Sequence, residues 1–320
     1  MATQIIIVQV LIFSLIALIG VVAHKVGIFS DTSRQTLARI IIDITLPFLI
    51  FSTFTHIEYK PELFKNAAIV FVLALLNLLI FKFAGTYTSK LLKLNKQQTD
   101  VYTLHSMFGN IVFFGFPLLD ALFPGGTGVF YGTVYQLVSN AFTFTYGVYR
   151  FSNGTQKRPW LKLLNPNTAA LAIGIVFMVY KIKVPEVLSD SFTNLGKCTS
   201  PLSMIYIGAL LASMKLNDSF KTLSIYILSF SKLLFMPVII SVIYLFSLQF
   251  LGLGISREPF IILILQAAMP CQTIIVVMSQ RYNSDYKLAA GNLFITSVLS
   301  IITLPIIFVI VEYFYKVCFL

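Results

Sequence analysis

Charge is what this 320-residue chain lacks: Asp, Glu, Lys and Arg make up 11% of it, against about a quarter of an ordinary soluble domain. Hydrophobic residues fill 58%, more apolar surface than a water-soluble core of this size needs. A soluble enzyme or binding domain is therefore excluded. Histidine is scarce as well, with three residues, and there are twelve acids. An integral-membrane enzyme would need such side chains clustered on facing helices, and only Asp43 and His105 lie deep inside apolar segments; the chain reads as no enzyme. Its three cysteines, Cys198, Cys271 and Cys318, have neither metal-like spacing nor an even count, and read as free thiols. The run Pro124-Gly125-Gly126-Thr127-Gly128 lacks the Lys-Ser/Thr of a phosphate loop and joins two apolar stretches, so it reads as a tight turn. No cofactor is implied.

What the chain does have is ten apolar stretches, at about 4–23, 37–55, 64–86, 102–123, 128–149, 167–182, 191–213, 222–250, 258–280 and 287–315. Each approaches the twenty or so residues that cross a bilayer as a helix. Backbone polar groups in lipid must be satisfied internally, and unbroken apolar runs favour helices over barrel strands. The expectation is an all-α membrane protein. The first stretch has no basic residue before Val22 and no small-residue cleavage site of the kind a cleaved signal carries, so it is expected to remain as a spanning helix.

The net charge of +11 does not form one basic stripe with interleaved aromatics, and no nucleic-acid partner is expected. Lys and Arg gather at the ends of the stretches as topology signals. Odd-numbered connections carry thirteen of them; even-numbered connections and the two termini carry seven. This bias puts the odd connections in the cytoplasm and both termini outside the plasma (inner) membrane. Two N-x-[ST] matches, at Asn153 and Asn217, would then face the cytoplasm and stay unglycosylated.

Two sets of five stretches, residues 1–150 and 166–320 joined by a short cytoplasmic linker 151–165, must be inserted in opposite orientations, as in inverted-repeat transporters. The second and seventh stretches share a proline, Pro47 and Pro201, and the fourth and ninth are interrupted at Gly109-Asn110 and Pro270-Cys271. An offset of 154 pairs Pro47 with Pro201, one of 153 pairs Pro117 with Pro270, and one of 161 pairs Gly109-Asn110 with Pro270-Cys271. The last places both interruptions near mid-span and is preferred, with Pro117 a second kink nearer the outer end. A break at mid-membrane frees backbone groups that lipid cannot satisfy. It also presents free N–H groups and about half a positive charge at the start of the second half-helix. Two such breaks could hold a carboxylate; two proline kinks that merely shape packing are the alternative.

The most distinctive pieces are Asn110-Ile-Val-Phe-Phe-Gly115-Phe-Pro117-Leu-Leu, Gln266-Ala-Ala-Met-Pro270, and Gln280-Arg-Tyr-Asn283 leading to Leu304-Pro305. In order and spacing, over nearly the whole chain, these resemble the auxin efflux carrier family, which includes plant auxin exporters and bacterial carriers of malonate and related acids. The resemblance implies ten helices in two inverted five-helix repeats, similar to bile-acid symporters, with a scaffold and a moving transport part. The fourth and ninth helices would cross at their breaks and bind an organic anion there. By motif, Asn110 would hydrogen-bond the carboxylate, Gln136 would line the pocket, and Pro270 with Cys271 would form the opposite broken segment. Gly109 stands where the plant exporters have Pro, and the Arg150–Leu164 connection is short where many of them carry a long hydrophilic loop. The second departure argues against regulation by kinases through that loop.

Single residues admit plainer uses. Asn110 could be interhelical glue worth about 1 kcal/mol. Gln136 and Asn140 share a helix face one turn apart, and Gln136 is taken for the site with Gly109 and Gln272. Gln266, one turn before Pro270, suits either the carbonyls that proline frees or the substrate. Asp43 is an acid at mid-span, where a carboxylate costs about 2.5–3.5 kcal/mol and should be protonated, paired or facing water. It is a candidate for proton or sodium coupling, or a structural partner of Lys82 or Lys232. Lys82 can snorkel, and Lys232 is deep enough to counter the anion. His105 reads as a packed histidine. Together these point to a secondary transporter of a small organic (carboxylate) anion by alternating access, with efflux of auxin-like or dicarboxylate anions as one form of it. A sodium- or proton-coupled symporter of the bile-acid type and an anion channel are the alternatives. Membrane lipid and a second copy of the chain are the candidate partners.

Overall fold

The computed structural model describes residues 2–152, 154, 164–214 and 222–319; Asn153, Asn217 and most of the 151–165 linker lie outside them. Among the described residues regular structure is helical, apart from one isolated bridge. In chain order the helices are α1 (Ala2–Lys25), α2 (Asp31–His56), α3 (Pro61–Leu91), α4 (Lys96–Met107), α5 (Ile111–Leu122), α6 (127–152), α7 (Pro166–Val179), α8 (Glu186–Ser213), α9 (Leu223–Phe250), α10 (Arg257–Ala267), α11 (Thr273–Arg281) and α12 (Tyr286–Phe319). Six of them, α1, α2, α3, α8, α9 and α12, are long and apolar enough to cross a membrane. The fourth and ninth apolar stretches are each two short helices, α4 with α5 and α10 with α11.

Among the described residues four helices contain a wide π turn in which an N–H reaches back five residues: Leu46 to Ile41, Phe116 to Ile111, Val148 to Thr143, and Met236 to Ser231. Three of these are followed by a proline, Pro47, Pro117 and Pro237. Proline has no N–H to give and its ring crowds the carbonyl four residues back, so a wider turn relieves both problems. Pro117 thus accompanies a widened first turn of α5 instead of adding a second break.

Hydrogen bonds sort the connections onto two faces. On one, Gln97 near the α3–α4 connection donates from Nε2 to the Asn283 carbonyl in the α11–α12 connection at 3.2 Å, and Arg34 at the start of α2 bonds Ser213 at the end of α8. On the other, Asn66 of α3 donates to Ser256 Oγ at 2.9 Å and Thr127 of α6 to Glu258 of α10 at 2.8 Å. Each broken pair is tied at its start to the end of the long helix that follows. Arg150 Nε donates to the Asp100 carboxylate at 2.8 Å, and Arg257 pairs with Glu312 at 2.8 Å. The signs are exchanged between the two ties.

Helices α1, α2, α7 and α8 pack through glycines. A Cβ on Gly208 would overlap the Ala17 carbonyl, one on Gly20 the Ile205 carbonyl, and one on Gly174 would lie 2.8 Å from Phe54 Cβ. Such close approach maximises dispersion contact where no water can drive association.

Candidate functional site

Helix α4 ends at Met107 because the next residues turn extended: Phe108 has φ −105° and ψ 125°. Helix α10 likewise stops at Ala267, and α11 begins at Thr273. The two interruptions cross as a single antiparallel bridge between Gly109 and Cys271. Asn110 N donates to the Pro270 carbonyl at 2.8 Å, and Gln272 N to the Phe108 carbonyl at 3.2 Å. Backbone groups that the breaks release are thus satisfied by one another, as burial requires. Gly109 permits the approach: a Cβ there would lie 2.9 Å from Met269 Cβ and 3.1 Å from the Gln266 carbonyl.

Around the bridge stands a shell of buried amides and hydroxyls. Asn110 Nδ2 donates to Thr273 Oγ1 at 3.0 Å, and both residues are buried. Gln272 is the N-cap residue of α11, yet its side chain caps nothing there; its Oε1 accepts from Thr143 of the α6 π turn at 3.3 Å. The first N–H groups of α11 therefore have no side-chain cap. Gln136 Nε2 donates to Asn140 Oδ1 at 2.9 Å, while Gln136 Oε1 is buried without a partner. Gln266 does not bond the carbonyls freed by Pro270: both ends of its amide are unpartnered among the described residues. The amide occupies a cradle where a Cβ on Gly115 would lie 2.7 Å from its Oε1 and one on Gly132 3.1 Å from its Nε2.

Behind the crossing, Lys232 of α9 is 1% exposed. Its Nζ donates to the Ser106 carbonyl at 2.9 Å and lies 5.4 Å from the centre of the Phe81 ring. In an unbroken helix that carbonyl would have received the Asn110 N–H, which goes to Pro270 instead. The ammonium thus caps the negative end of α4. Cys271 N donates to Thr296 Oγ1 of α12 at 3.0 Å, and His105 Nδ1 lies 3.3 Å from Asn292 Nδ2, so His105 belongs to this packed polar layer.

A cavity of about 270 Å³ descends from the first of the two faces to the crossing. Asp31, Arg34 and Gln35 of α2 and Gln280 and Tyr286 ring its mouth, Tyr206 and Val276 form walls, and Thr273, the partner of Asn110, lies at its floor. Larger cavities of about 640 and 600 Å³ lie at the opposite face, and no residue of the crossing lines them.

The structure brings together Gly109, Asn110, Pro270, Cys271 and Gln272. Gln136 is buried on α6, and its hydrogen bond is made within its own helix. Asp43 lies near the middle of the α2 span. It is exposed on the π turn of α2, and no ion pair joins it to Lys82 or Lys232 among the described residues. Lys82 lies instead 4.6 Å from the centre of the Tyr146 ring, and Lys232 caps α4. Sequence reasoning missed Thr143, Thr273 and Thr296, the hydroxyls that knit the breaks together; isolated threonines in apolar helices give no signal of such a role. It also took Arg34 for a topology charge only.

The profile of the family described as membrane transport protein matches residues 5–161 and 148–308. The chain is 26% identical over 304 residues to an uncharacterized transporter of Methanocaldococcus jannaschii, covering 93% of this chain and 96% of that one. It is 23% identical over 298 residues to an uncharacterized transporter of Methanothermobacter thermautotrophicus, covering 91% and 93%. With its long apolar helices and motifs, this is a multi-pass integral membrane protein, and it belongs to the membrane transport protein family of auxin efflux carriers.

Proposed function

We propose that the chain is a secondary transporter of a small organic carboxylate, working by alternating access at the crossing of α4–α5 and α10–α11. One observation carries this reading: the start of α11, without a side-chain cap, lies beside the Asn110 amide at the floor of a cavity that reaches one face. A helix start and an amide donor suit an anion, and the Lys232 ammonium behind them adds positive potential. Gly109, Pro270 and Cys271 hold the crossing; Asn110, Gln136 and Gln272 present polar groups to the substrate. The amides of Gln136 and Gln266, with unused hydrogen-bonding capacity, suit the remainder of the molecule.

Ten spans in two inverted halves, 1–150 and 166–320, fit the same reading. The donors Asn110 and Gln272, and the acceptors Phe108 and Pro270, are each separated by 162 residues, as an inverted repeat crossing on its own axis requires. The offset of 161 for these helices is replaced by 162. Thr199 Oγ1 donates to Thr45 Oγ1 at 3.0 Å, at the 154-residue offset of Pro47 and Pro201. With the odd connections cytoplasmic and both termini outside, the cavity opens inward. An anion leaving a negative-inside cell then gains about 2.3 kcal/mol per charge per 100 mV, which favours export without a coupled ion.

Counterflow into proteoliposomes tests this. Mono- and dicarboxylates, including indole-3-acetate and malonate, are screened with and without sodium and a pH gradient. Saturable counterflow that Asn110→Ala weakens is expected. Flux that neither saturates nor shows counterflow would make the protein a channel.

A further inference from the structure

Arg34 sits in the first turn of α2, which a reciprocal Ser30–Ser33 cap fixes in place. Its side chain is only 11% exposed. The guanidinium bonds Ser213 across the cavity mouth and Asp31 on its own helix, and among the described residues its buried Nε has no partner. Asp31 is 85% exposed, so water solvates the carboxylate and competes for it. The same cavity continues to Thr273 and hence to Asn110. An arginine fork matches a carboxylate edge-on through two parallel N–H groups, and Arg34 lines the same cavity as Thr273. At about 270 Å³ the cavity falls just below the range of about 300–1,000 Å³ typical of drug-sized ligands, a size suited to a small organic acid.

We propose that Arg34 is a loading site at which a carboxylate anion displaces Asp31 from the guanidinium before passing to the crossing. The proposal rests on the crossing as the transport site and adds an earlier station on the same route. Asp31 is then a built-in competitor that lowers affinity and keeps the site from trapping its cargo. Because Arg34 also bonds Ser213 of α8, its occupation bears on the contact between α2 and α8 at the mouth.

The test measures equilibrium binding of radiolabelled indole-3-acetate and malonate to the purified full-length protein, with thermal unfolding of each variant. Arg34→Ala is expected to weaken binding about tenfold and to flatten its dependence on ionic strength, and Arg34→Lys to weaken it about threefold. Asp31→Asn is expected to strengthen binding about threefold, because it frees the fork from its competitor. A clip between helices would respond otherwise, since Asp31→Asn would then weaken binding and lower the unfolding temperature as Arg34→Ala does. That pattern overturns the proposal. So does parent-like binding in Arg34→Ala, or failure of the parent to bind either probe. Asn110→Ala separates the two claims: its normal binding beside a defective Arg34→Ala removes the crossing as the site, and the reverse removes Arg34.

Discussion

Where α1 meets α8, a glycine on each helix lets the backbones touch; where α10 meets α5 and α6, two glycines instead leave room for the amide of Gln266. The contrast extends to whole regions. In α1, α2, α7 and α8 the buried polar side chains are Thr45, Ser52, Thr53, Thr199 and Ser203, small hydroxyls that a helix can satisfy locally. Every buried Asn, Gln, Asp, His and Lys among the described residues belongs to the other helices or to the breaks. Dispersion holds the first region together, so changes in volume threaten it. The second is a polar network, in which losing one group leaves another unpartnered. A close-packed panel suits the scaffold that the family resemblance implies, and the polar bundle the transport part.

The largest expected effect attacks the packed region. Gly208→Leu drives a side chain into the Ala17 carbonyl and should lower stability by about 3 kcal/mol, the upper end of ordinary overpacking costs. Fluorescence-detected size exclusion after a heat step would read it. In the polar region, Asn110→Ala and Gln136→Ala should each weaken substrate binding by about 1–3 kcal/mol with unfolding near that of the parent. If both variants bind normally, the polar region is only structural glue.

Lys232→Met sharpens the contrast because stability and function should separate. Removing a buried ammonium while keeping its bulk leaves stability within about 1 kcal/mol, since the loss of the bond to Ser106 is offset by relief from burying a charge. Affinity for the anion should fall about fivefold, a charge effect of about 1 kcal/mol. Stability lost without any change in affinity would make Lys232 a helix cap alone.

Which parts were legible in the sequence follows from the same contrast. Apolar length marked the helical stretches, and the prolines expected to kink the chain include Pro47 and Pro117, where two helices widen; the third, at Pro237, was not singled out. Gly109 and Pro270 marked the breaks because each conflicts with a buried continuous helix. The backbone bonds join 108 and 110 to 272 and 270, an offset of 162, one residue from the 161 that the side-chain motifs suggest, because motifs align less sharply than backbone bonds. Lys232 was visible as a deep charge, but its partner is a backbone carbonyl, and carbonyls are anonymous in sequence. Arg34 looked like any cation at a helix end, because burial from a helix distant in the chain leaves no local trace.

Asp43 yields the smallest expected effect and reverses an expectation drawn from position alone. A mid-span carboxylate suggested a proton carrier held in a buried site, where moving between protonation states could be tied to the transport cycle. Asp43 is instead exposed on the π turn of α2 and does not line the cavity beneath Arg34. At mid-span an exterior carboxylate that faces lipid carries an insertion cost of about 2.5–3.5 kcal/mol, which bears on the fold, while its position off the cavity lining keeps its effect on substrate binding small. Asp43→Asn should therefore leave affinity within about twofold of the parent and the pH profile of transport unchanged, measured as counterflow across a series of symmetrical pH values. A flattened profile with normal folding would return Asp43 to the transport cycle, and with it the packed region to a part in coupling that its buried chemistry does not otherwise suggest.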